Sequence, residues 1–131
     1  MSTEAKVTQA KEAPKTFKHV AKFKRLDGSE DRVTVQYYYR DRMQAAKLQD
    51  ELRAFAKDKN ESQSADPSMV ELITAANEVF AETLLKMIHE WDRKEPLNVD
   101  SLIDLCNTEP ALTDSLREDY WTAVLSGRRG N

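Results

Sequence analysis

The chain has 131 residues, 40% of them hydrophobic and 33% charged, enough for one domain that takes roughly two thirds of its unfolded surface out of water. Its charges nearly balance at a net −3, so no global field draws it to nucleic acid or to anionic lipid. No apolar run approaches the roughly eighteen residues of a membrane span, the N-terminus lacks the hydrophobic segment of a secretion signal, and the single Cys106 makes no intrachain disulfide. These exclusions predict a soluble cytosolic protein in which Cys106 is a small buried apolar residue.

Met1 to Lys15 mixes Lys, Glu, Ala, Thr and Gln with no large apolar residue but Val7, so it buries too little to offset its ordering entropy and reads as a disordered tail. From Thr16 the period becomes two. Phe17, His19, Ala21 and Phe23 share one face, Val33, Val35, Tyr37 and Tyr39 another, and Asp27-Gly28 between them suits a tight turn. The pattern predicts a β-hairpin within 16–40 that packs one face on helices, since a lone hairpin is marginal in water.

Asp41 to Lys57 returns to helical spacing, with Ala45, Leu48, Leu52, Phe55 and Ala56 on one side and Asp41 with Gln44 shaped like a capping box. Asp58 to Ala65 is polar and reads as a loop. The longest stripe follows, from Asp66 to Trp91: Val70, Ile73, Ala76, Phe80, Leu84, Met87, Ile88 and Trp91 occupy one half of a helical wheel. Asp66 as cap and Pro67 in the first turn mark its start, and Pro96 forces an end near Trp91. If Trp91 closes the main stripe, Trp91→Ala costs about 3 to 5 kcal/mol. Asn98 caps a short helix carrying Val99, Leu102, Ile103, Leu105 and Cys106. Pro110 then opens a last helix with Leu112, Leu116, Tyr120, Ala123 and Val124 on one flank, stopped by Gly127 and followed by Arg128 and Arg129.

The fold class predicted is mainly α: a small helical domain of about four helices with an N-terminal β-hairpin, α+β by strict count. Residues 1–15 form the tail, and 16–131 form a single domain whose only sheet is the hairpin.

No catalytic constellation stands out. His89-Glu90 lacks the second histidine that the zinc-protease helix requires four residues on, since position 93 is arginine. His19 and Cys106 lie too far apart in pattern to suggest a metal site, and glycines at 28, 127 and 130 build no phosphate loop. We expect no enzyme, no metal and no cofactor. Tyr37-Tyr38-Tyr39-Arg40 with Lys18, Lys22 and Lys24 admits a base-stacking sheet, but packing of Tyr37 and Tyr39 on the helices, with Tyr38 and Arg40 in solvent, accounts for the pattern better. Four residues suit partner binding. Trp121 and Leu125, one turn apart, lie outside the buried flank of the last helix, and Leu72 and Val79 widen the central stripe beyond what one neighbour covers. Burial within a compact bundle is the competing account of all four.

A helix closing on Trp91-Asp92, a short connector, a small helix over Asn98-Val99-Asp100-Ser101-Leu102-Ile103-Asp104-Leu105, and a helix from Pro110 through Tyr120 to Gly127-Arg128-Arg129-Gly130-Asn131 resemble the tail assembly chaperones of long-tailed, lambda-like bacteriophages. The resemblance covers roughly 39–131. It implies a protein of the host cytoplasm, absent from the virion, that binds the tape measure protein, with a frameshifted longer form in many such phages that recruits the tail tube protein. The surplus apolar positions Leu72, Val79, Trp121 and Leu125 add the expectation that the protein also binds itself as a homo-oligomer. The balanced charge and the lack of a long apolar run predict no nucleic-acid or membrane partner. The competing reading is a small helical interaction or regulatory module, binding nucleic acid through the Tyr37 to Tyr39 hairpin.

Overall fold

Alternation of large and polar side chains carries the chain through strand β1 (Thr16–Lys24) and strand β2 (Glu30–Tyr38), paired antiparallel from Thr16 opposite Tyr38 to Lys24 opposite Glu30. The turn closes where the Gly28 N–H donates to the Arg25 carbonyl at 2.9 Å, and Gly28 takes a φ of 89°, which glycine adopts without steric cost. Asp27 steadies the turn by accepting from the N–H and hydroxyl of Ser29. Ala21, Phe23, Val33, Val35 and Tyr37 point to one side and are buried. These elements come from a computed structural model that describes residues 14–127. The predicted tail therefore lies outside the described residues, apart from Pro14 and Lys15, as do Arg128 and Arg129.

Helix α1 (Arg42–Glu61) starts on the expected capping box, with Asp41 accepting from the Gln44 N–H at 2.8 Å and Gln44 accepting from the Asp41 N–H at 2.9 Å. It runs four residues beyond Lys57, so the connecting loop is shorter than the polar composition of Asp58 to Ala65 suggested. The central helix, α2 (Met69–Met87), is shorter than its stripe at both ends. Ser68, not Asp66, is the cap. Ser68 and Glu71 satisfy each other's backbone N–H groups reciprocally, whereas Asp66 offers an acceptor only, and Pro67 falls just ahead of the helix.

The larger correction lies at the other end. Ile88–Trp91 is strand β3, which extends the hairpin to a three-stranded antiparallel sheet in the order β1-β2-β3. Val35 pairs with Trp91 and Tyr37 with Ile88, with a register shift between Gln36 and Tyr37. The second edge of β2 needs partners for its backbone groups, and Ile88 is buried on that side, so extended pairing outweighs another helical turn. The hairpin is thus not the whole of the sheet, and Trp91 is a half-buried strand residue whose indole N–H donates to the Glu95 carbonyl at 3.0 Å.

Helix α3 (Val99–Thr108) is capped by Asn98 as expected, and helix α4 (Pro110–Ser126) opens on its proline. A left-handed Gly127, φ 81°, ends α4. α4 lies along β1: His19 Nε2 is 2.7 Å from Asp119 Oδ2, and the rings of Phe17 and Tyr120 stack 6.4 Å apart. The core joins the inner sheet face to Ala45, Leu48 and Leu52 of α1, Ala81, Leu84 and Met87 of α2, Leu102, Leu105 and Cys106 of α3, and Leu112, Leu116, Tyr120 and Val124 of α4.

The end of β2 differs from expectation. Tyr39 faces outward, 45% exposed, while Arg40 turns in and donates from Nη1 to the Lys86 carbonyl and to the Tyr120 hydroxyl, both at 2.9 Å. Tyr38 is half-buried, its carbonyl accepting from Tyr120 and its hydroxyl 3.3 Å from His89. The orphan carbonyl in the last turn of α2 explains the reversal, because a guanidinium reaching it satisfies an acceptor the helix cannot.

Candidate partner-binding surface

The first turns of α2 leave the core. Its buried residues begin at Ala81, and upstream Met69 (70%), Val70 (75%), Leu72 (42%) and Ile73 (47%) are exposed. Val70 and Ile73 were expected in the buried stripe, and the structure places them in solvent. The reason lies in α1, which runs antiparallel beside α2 and is tied to it by Glu51–Lys86 at 2.9 Å and Lys59–Glu78 at 3.0 Å. At that register α1 ends beside the middle of α2. The loop that returns brings polar side chains alone: Gln63 donates to the Glu71 carbonyl and Ser64 to the Glu71 carboxylate. The sequence held a usable sign of this, since the apolar-poor Asp58 to Ala65 has nothing to lay over Val70 and Ile73.

The four residues singled out from sequence do not form one surface. Leu72 belongs to the exposed quartet. Val79 is half-buried midway along α2, and its carbonyl accepts from Thr83. Trp121 and Leu125 are half-buried against the core, Trp121 edge-on to Tyr120 at 5.6 Å. Roughly 20 Å of helix separates Leu72 from Lys86, and Arg40 joins Lys86 to Tyr120 at the end of the molecule where Trp121 and Leu125 sit. Leu125 lines an open groove of about 570 Å³ with Phe17, Tyr39, Arg42 and Ala123.

Polar clusters elsewhere hold elements together. Arg25 pairs with Asp31 and reaches Glu109 at 3.7 Å, while Arg93 clasps Glu95 with two hydrogen bonds and reaches Glu109 at 3.6 Å. The hairpin turn, the β3–α3 connection and the start of α4 thus share one ion network. The hydrogen bond from Arg25 holds the Asp31 carboxyl below the usual carboxylate range, and that from Arg93 does the same for Glu95. Burial pushes the Cys106 thiol up, away from the reactive thiolate. His19 is engaged by Asp119 and His89 by Tyr38, and among the described residues no group of three or more His, Cys, Asp or Glu is arranged to hold a metal. Tyr37 is buried, Tyr38 half-buried and Tyr39 exposed, so the three rings do not share one open face. Among the described residues no helix is long and apolar enough to cross a membrane.

A family model described as phage tail assembly chaperone matches residues 1–131. No curated protein and no solved structure matches the chain.

Proposed function

As a member of the phage tail assembly chaperone family, to which this chain belongs over its whole length, the protein acts, we propose, by binding the tape measure protein and keeping it soluble while the tail tube assembles. The observation that carries the reading is the quartet Met69, Val70, Leu72 and Ile73: large apolar side chains on a capped, well-formed helix end, left 42 to 75% exposed among the described residues. Such a face takes an apolar helical stripe of a long partner in the helix-in-groove manner. Trp121 and Leu125, beside the groove at the other end, and Val79 between, offer a second contact for a partner long enough to span both. The role calls for no catalytic group. It also places the protein in the host cytoplasm and outside the finished virion, with the tail tube protein reached through a longer, frameshifted form.

The test is co-expression with the tape measure protein. The chain should keep that partner in the soluble fraction, and Leu72→Gln with Ile73→Gln should lose it while the variant itself stays folded. A tape measure protein equally insoluble with and without the chain ends the reading. Equal capture by the double variant moves the surface to Trp121 and Leu125.

A further inference from the structure

Among the described residues the long outer edge of β1 pairs with no strand. Beyond the two ends of β1, the Tyr39 N–H donates to the Lys15 carbonyl and the Arg25 N–H to the Ser29 carbonyl, each at 2.8 Å. Both contacts fall on odd positions of the first strand. Bonded and non-bonded pairs alternate along an antiparallel ladder, so the odd residues of β1 commit their backbone groups to β2. The N–H and carbonyl groups of Thr16, Lys18, Val20 and Lys22 therefore point away from β2, toward an edge that no strand occupies among the described residues. One of these groups meets a protein donor: the Lys22 carbonyl, 3.4 Å from the Ser115 hydroxyl.

The side chains of the same residues stand on the sheet face turned from the helices, and that face is basic. Lys18, Lys22, Lys24 and Arg32 are all exposed. Lys22 lies directly opposite Arg32 at a non-bonded position, where facing side chains come closest and like charges destabilise the pair. Among the described residues none of Lys18, Lys22 and Arg32 has an ion pair, and Lys24 has a loose one to Glu30 at 3.8 Å. A depression of about 460 Å³ is lined by Lys22, Lys24 and Arg32 together with Glu30 and Asp31, so the unpaired positive charge sits on Lys18, Lys22 and Arg32 rather than throughout it.

We propose that the outer edge of β1 takes an extended acidic segment of a partner protein as a fourth strand. Its backbone pairs with the outward groups of Thr16, Lys18 and Val20 and with the Lys22 N–H, and its carboxylates, at alternate positions, lie beside Lys18 and Lys22. A second copy of β1 is disfavoured by the same charges, because it sets lysines against lysines. Single-stranded nucleic acid suits the face less well, for its only ring, Tyr38, is half-buried against His89. The edge lies apart from the α2 quartet, so this inference and the tape measure reading stand or fall separately.

The test is amide exchange in the isotope-labelled full chain with a heptapeptide of alternating glutamate and valine as probe. Exchange at Thr16, Lys18, Val20 and Lys22 should slow by about tenfold or more at saturation, with Phe17, His19 and Ala21 unchanged. Lys18→Glu with Lys22→Glu should remove the protection without lowering the thermal midpoint, because glutamate opposite Arg32 relieves the like-charge pair. Unchanged exchange at the even positions overturns the proposal. So does equal protection by oligothymidylate or by the same peptide with lysine in place of glutamate.

Discussion

The phenol of Tyr37, at the centre of the sheet, donates a 2.7 Å hydrogen bond to the carbonyl of Leu116 on α4, and both side chains are fully buried. The bond joins residues 79 apart in sequence and fixes how far α4 slides along the sheet. It also sets a chemical condition, because only the protonated phenol donates.

Burial, with the negative charge of Asp119 adding to it, raises the Tyr37 pKa well above the usual value of about 10. A raised folded-state pKa gives stability that is complete below the unfolded value and lost as pH climbs beyond it, so the fold should weaken from about pH 10 upward. Tyr120, raised by burial despite Arg40, adds to the trend. Tyr37→Phe should cost about 1 to 2 kcal/mol at neutral pH through the lost bond and should flatten the alkaline decline. Urea unfolding across that range checks both, and an unaltered slope in the variant would assign the alkaline loss elsewhere.

Trp91→Ala tests the reassignment of the stripe's end. A half-buried strand residue with one hydrogen bond should cost about 2 to 3 kcal/mol, less than Leu84→Ala at about 3 to 4, where the side chain is wholly enclosed. The reverse order in chemical denaturation would restore Trp91 to the core.

Trp121→Ala and Leu72→Gln should part company. Trp121 packs on the core and on the Tyr120 ring, so its loss should cost about 1 to 3 kcal/mol as well as any binding. Leu72→Gln should change stability by less than about 0.5 kcal/mol, since an exposed helical leucine exchanges for another good helix former. Thermal unfolding of the two variants side by side checks the division.

Self-association should be present and weak. Four exposed side chains on α2 offer less than the roughly 800 Å² per partner of a stable interface. Sedimentation should show species larger than the 15.0 kDa protomer that dissociate on dilution through the micromolar range. A clean monomer throughout would leave the quartet to a different partner alone.

Local chemistry in the sequence announced most of the elements. The Asp41–Gln44 box, Asn98, Pro110 and Gly28 each act within a few residues of themselves, and each sits in the role its type implies. β3 was illegible because Ile88 and Trp91 continue the helical spacing of Met87, and what makes them a strand is the edge of β2, more than fifty residues upstream. The Ser68–Glu71 box was legible and lost to the more conspicuous Asp66-Pro67. As for the surface, Leu72 stood out as surplus, but Val70 and Ile73 looked like core because a helical wheel says which side of a helix is apolar and not how far along it a neighbour reaches.

The contact of His19 with Asp119 spans 100 residues, and α4, which packs along β1, comes last in chain order among the helices of the described residues. At bacterial elongation rates that interval is about 5 to 20 s, during which Phe17, Ala21 and Phe23 wait on the nascent chain without their cover. The domain closes only after α4 has been made. A ribosome that stalls before Leu112 therefore displays an open sheet rather than a folded domain, and protease susceptibility of stalled nascent chains should fall steeply once α4 has emerged.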